Sequence, residues 1–147
     1  MPTVWDPAVR ATLVDRARAL TPQHTARWGK FSVAGMLSHL NESTRMATGD
    51  LPVTGKAPSV LRWPPVRYLL IHHLPMPKSA PTAPELLARC SSAEFAHELQ
   101  TFEETFVRLD GTSHRLVPHP AFGALSHDSW GVLIHKHVDH HLRQFGV

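Results

Sequence analysis

The sequence contains one cysteine, Cys90, in 147 residues. That excludes an intrachain disulfide framework and suits a reducing compartment, so a cytoplasmic location is expected. Nothing near Cys90 would depress its pKa, and it reads as a small packed side chain rather than a nucleophile. Long apolar runs are missing too. The longest, around Val66 to Leu74, is broken by Arg67, His72 and His73 and is too short to span a bilayer. The opening MPTVWDPAVRATL has neither a basic start nor a continuous apolar stretch, which argues against a secretory leader. The net charge of +3 comes without a lysine-rich run or a basic stripe interleaved with aromatics, so neither nucleic acid nor a membrane is an expected partner. No apolar–polar alternation is long enough to argue for a sheet, and no internal repeat is visible. What is left is a single domain over residues 1–147, with 42% apolar and 18% charged residues.

Against these absences stands histidine, whose twelve copies equal Asp and Glu together. Four segments carry helical signals. The first begins at Asp6-Pro7, a capping residue followed by a proline suited to the first helical position. Val9, Leu13, Ala17 and Leu20 give it a core face. The second runs from Ser32 to about Gly49, with Val33, Met36, Leu37 and Leu40 inward and the glycine as a stop. The third opens at Ser91, with Glu94 at capping-box spacing. Phe95, Leu99, Phe102, Phe106 and Leu109 form its seam before Gly111. The fourth starts near Ser126. Eight of the thirteen prolines fall between Leu51 and Pro84, so the second and third helices are joined by a long proline-rich crossover. One short helix interrupts it, entering at Pro64-Pro65 and covering Val66 to His73. The expected fold is an all-α four-helix bundle with that crossover, and metal sites in such bundles sit on facing helices.

The fourth helix ends in HKHVDHHLRQFGV. At roughly 100° per residue, His137 and His141 point the same way, one turn apart. Trp130, Leu133, Ile134, Val138 and Phe145 flank them, while Lys136, Asp139 and Arg143 fall opposite. Two imidazoles in an apolar stripe are costly unless something occupies their nitrogens, and a divalent metal is the economical occupant. Satisfied core histidines are the alternative. Two histidines hold a metal weakly, and His39 is the chosen third, although it sits on the flank of its helix and the wheel alone does not select it. His119, before Pro120, can present a general base at the mouth of the bundle, or simply mark an extended loop. Gln144 falls where it can hydrogen-bond a ligand imidazole or pack the helix end. Trp28, Trp63, Trp130 and Tyr68 line a pocket or pack helices. Lys56, Arg62, Arg67 and Lys78 make the crossover basic, which attracts an anionic thiol or carboxylate or merely solvates the surface.

Three stretches, WGKFSVAGMLSHL, LPMPKSAPTAP and HPAFGALSHDSWGVLIHKHVDHHLRQFG, resemble a bacterial branch of the DinB/YfiT-like superfamily whose function is unknown. The resemblance covers nearly the whole chain and is most specific in the closing block. It implies a four-helix bundle holding a divalent metal, often zinc or nickel, through three histidines. One comes from the second helix and two from an H-x-x-x-H pair on the last, matched here by His39, His137 and His141. Three imidazoles leave a coordination position open, as in catalytic zinc sites. Related branches include thiol-dependent transferases and an isomerase, so the resemblance implies thiol S-transfer on a small-molecule substrate, with a low-molecular-weight thiol as co-substrate. Two rival readings stand beside it. One is metal-dependent hydrolysis, with His119 or Glu42 as general acid or base. The other is a non-catalytic metal- or partner-binding module whose site is closed by a fourth protein ligand. A homodimer through the bundle faces is compatible with each.

Overall fold

The computed structural model describes residues 1–55, 57–78, 80–87, 93–110 and 115–147. Its helices begin and end largely where the local chemistry dictates. Helix α1 (Pro7–Arg18) has Pro7 in its first turn, and the Asp6 carboxylate accepts the Ala8 N–H at 2.8 Å. Helix α2 (Val33–Thr48) starts where Ser32 Oγ accepts the Gly35 N–H at 3.0 Å. It stops at Gly49, whose φ of +82° is left-handed and open to a residue without Cβ. A 3-10 turn (Ser59–Arg62), α3 (Pro64–His72) and α4 (Pro84–Leu87) punctuate the crossover. Helix α5 (Phe95–Arg108) follows, and α6 (His127–Gln144) opens on Ser126, whose Oγ accepts the Ser129 N–H at 3.1 Å.

One expected boundary shifts. Glu94, placed by the sequence inside the first turn of the third helix, is instead an extended residue preceding it, and its side chain makes no capping bond. The helix begins where its apolar seam begins, at Phe95. Ser91, Gly111 and Cys90 lie outside the described residues. The 3-10 turn and α4 carried no sequence signal, because four residues are too few to show a period. Among the described residues there is no strand, only an isolated bridge between His119 and Gly123. No described helix is long and apolar enough to cross a membrane.

The packing places α2 at the centre. It lies most extensively along α5 and also touches α4 and α6, while α1 packs on α5 and α6 and α3 lies on α6. Phe102 and Phe106 of α5 are fully buried and stack at 4.3 Å, closing the core with Leu13, Ala17, Met36, Leu37 and Leu40. On α1, Leu13, Val14 and Ala17 are buried, while Val9 is only half-buried. Nearly all of α2 is buried, polar residues included. Ser43 and Thr44 satisfy their hydroxyls on the His39 and Leu40 carbonyls at 2.7 and 3.0 Å. Asn41 Nδ2 donates across to α5, to the Glu98 carbonyl at 3.0 Å and its carboxylate at 2.8 Å. The consequence for the site is direct: only Ala34, Arg45 and Thr48 of α2 keep exposed surface, and His39 lies buried against α6.

Two devices fix α6 against its neighbours. Lys136 donates to the carbonyls of Leu70, Ile71 and Leu74, capping the end of α3 and tying the crossover down. Gly131 leaves room for the N-terminal segment: the Val4 N–H reaches its carbonyl at 3.2 Å, and a Cβ there would collide with Thr3 and Trp5.

Candidate metal centre

Helix α2 delivers His39, and one turn of α6 delivers His137 and His141. One nitrogen from each imidazole lies within 4.8 Å of the other two. His39 Nε2 and His137 Nε2 are 2.9 Å apart. Two ligand nitrogens around one zinc ion, each bonded at about 2.0–2.1 Å, stand roughly 3 Å from one another. The ring planes of the three residues meet edge to face, with centroids 4.8 to 4.9 Å apart. Phe31 forms a wall of the cluster, stacked on His39 at 5.2 Å and edge-on to His141 at 5.7 Å.

The hydrogen bonds decide which nitrogens face inward. His141 Nδ1 sits 2.8 Å from Gln144 Oε1, and Gln144 Nε2 donates to the Trp28 carbonyl at 2.6 Å. The amide is thereby oriented, Nδ1 carries the proton, and Nε2 of His141 is left with a lone pair. His39 Nδ1 is buried without a hydrogen-bond partner, so no comparable brace orients that ring through its second nitrogen.

Electrostatics keep all three neutral. Burial pushes His39 down to about 3, helped by His141. His141 falls to about 4 through burial, although the Gln144 bond opposes the shift. His137 lies well below its ordinary value, first from burial and then from His39 and His141. A neutral imidazole is the ligating form, and among the described residues no acidic side chain joins the cluster to favour protonation. His39 and His141 are buried, whereas His137 retains some exposed surface. The residues therefore fit a divalent cation: three convergent neutral nitrogens, one braced by an amide. The nature of that cation is not fixed by an all-nitrogen donor set.

Other residues singled out in the sequence fall in several places. His119 Nδ1 accepts the N–H groups of Ala121 and Phe122 at 3.0 and 3.2 Å. Its ring packs against Phe122 and Trp130, and burial lowers its pKa to about 4. It is close enough to His137 for each charge to disfavour the other. Because backbone N–H groups already occupy Nδ1, the neutral ring carries its proton on Nε2 and presents a donor, whereas a general base needs a free lone pair. Glu42 is buried outside the cluster and pairs with Arg45 at 3.0 Å. Trp130 is buried and donates to the Val117 carbonyl, while Trp63 and Tyr68 are exposed. Cavities of about 280 Å³ between α3 and the start of α6, and of about 430 Å³ beside Phe31, are not lined by the three histidines. Phe31 was not anticipated as part of the site. A lone aromatic next to a helix start has no periodic signal to reveal it.

No curated protein and no solved structure matches the chain. Over residues 9–146 the sequence matches the family described as Protein of unknown function (DUF1569), and the chain belongs to that family.

Proposed function

We propose that this protein is a DinB/YfiT-like four-helix bundle and a divalent-metal-dependent enzyme for a small molecule, transferring a thiol to an electrophile. The observation that carries the reading is the convergence of His39, His137 and His141 with all three imidazoles neutral. Zinc or nickel suits such a donor set, and when bound would supply Lewis-acid activation of the nucleophile. The chain's own contributions are separable from that chemistry. Gln144 holds the His141 proton at Nδ1 and so keeps Nε2 available. Phe31 excludes water from one wall. His119, held by Ala121 and Phe122, offers an N–H at Nε2 to a developing negative charge near His137. In the transfer, the sulfur forms a bond to an electrophilic carbon, its proton passes to solvent, and the leaving group departs with the bonding electron pair.

Elemental analysis of untagged protein, with His137→Ala and His141→Ala as controls, is the primary test. One equivalent of metal in the parent, lost in both variants, is expected. Turnover of a generic electrophile with a panel of small thiols should follow metal content. Metal-free native protein, or metal-loaded protein inert with every thiol, would remove the reading.

A further inference from the structure

One flank of the histidine cluster gathers hydrogen-bond donors, one of them buried without an acceptor. Trp28 stands before α2, and its Nε1 is buried without a partner. The indole meets His140 edge-on at 5.5 Å, and His140 meets His141 at 5.2 Å. On the outer side, Lys78 of the crossover places Nζ 4.7 Å from the Trp28 ring centroid. Lys78, Trp28, His140 and His141 thus form a continuous row from an exposed rim to a buried ligand nitrogen.

The other basic residues of the crossover are engaged elsewhere. Arg62 donates to the Pro120 carbonyl at 3.2 Å, and Arg67 donates to the Phe122 carbonyl at 3.3 Å, so both fasten the loop that carries His119. Lys56 lies outside the described residues. Asp139, the carboxylate that bears on His140, is held by Arg16 at 2.8 Å and Arg143 at 3.0 Å. Lys78 therefore faces the row as a single ammonium, with no carboxylate against it among the described residues.

We propose that the substrate carries a carboxylate, bound at this rim by Lys78 together with the Trp28 and His140 N–H donors, while its reacting end lies toward the three histidines. One ammonium matches one negative charge, and a carboxylate has the lone pairs to accept from several donors at once. An apolar group would leave the buried indole N–H unpaired, which is costly, and a neutral acceptor such as an amide would satisfy it but leave the Lys78 ammonium without a counter-charge. The inference rests on the histidine cluster being the reacting centre, but its test needs neither turnover nor bound metal.

The experiment is a titration of the full-length chain followed by the indole N–H resonances, with the Trp28 signal identified by Trp28→Phe. Propionate should shift that signal saturably, whereas propionamide and inorganic phosphate should not. Lys78→Met should weaken propionate about tenfold, the scale of one charge-assisted hydrogen bond, and Lys78→Arg should restore it. Lys78 is exposed, so neither change threatens folding. Equal response to propionamide, stronger binding of phosphate, or propionate affinity indifferent to Lys78 would each overturn the proposal. Saturable, Lys78-dependent propionate binding by native protein that carries no metal would instead count against the metal-dependent reading alone.

Discussion

At the scale of single residues, the site depends on groups that fix proton positions as much as on the imidazoles themselves. Gln144 is the clearest case, since its amide takes the His141 proton on one side and donates to the Trp28 carbonyl on the other. Removing the acceptor frees the ring to rotate and to exchange tautomers. Gln144→Leu is therefore expected to weaken metal binding by about 10–100-fold, the range seen when such orienting partners are lost. Gln144→Glu, which keeps an acceptor, should lose much less, and competition with a chelator would measure both. Equal affinities for the Leu and Glu variants would mean that the bond does not orient the ligand. His119 makes the complementary point. From the sequence it qualified as a general base, but two backbone N–H groups fill the nitrogen a base would use.

At the scale of elements, capping chemistry and periodicity placed α1, α2, α3 and α6 nearly to the residue, because each starts on a side chain or proline with a specific backbone role. Helix α5 was legible through its phenylalanines but not at its start, where no side chain caps it. Position 131 on α6 shows what periodicity cannot. Alanine there gains about 1 kcal/mol in helix propensity over glycine. Against that, the added methyl meets Thr3 and a Trp5 ring that is stacked on His127 at 4.6 Å and bonded to the His127 carbonyl at 2.9 Å. Overpacking of this kind costs about 1–3 kcal/mol, and the locked indole cannot step aside cheaply. Gly131→Ala should therefore lower stability in urea unfolding while metal content stays unchanged. A variant more stable than the parent would show that residues 3–5 do not dock on α6.

At the scale of the whole molecule, the buried histidines make stability a function of pH. His39, His119, His137 and His141 all have folded pKa values below their unfolded value of about 6.5. Above that value both states are neutral and the linkage is silent. As pH falls below it, the unfolded chain takes up protons that the folded chain refuses, so stability drops until the folded values are passed, near 4 and below. For the metal-free chain the loss between pH 7 and pH 5 should reach a few kcal/mol, since each such group contributes up to about 1.4 kcal/mol per pH unit. Bound metal should raise the curve at neutral pH and release sharply on acidification. A urea midpoint that stays flat from pH 7 to pH 5 without metal would contradict this account.

The pattern along the chain was enough to locate the four long helices and α3, to pair His137 with His141 on one face of α6, and to nominate the crossover as a separate, proline-punctuated stretch. Those features depend on residues a few positions apart, where helix geometry dictates the outcome. Only tertiary packing decided that α2 is buried along most of its surface, turning His39 from a flank position into the third member of the cluster 98 residues from His137. Packing also brought Phe31, Trp28 and Lys78 to its edges and committed the free nitrogen of His119 to donation. Such choices follow from which surfaces must exclude water together, and no local spacing encodes them.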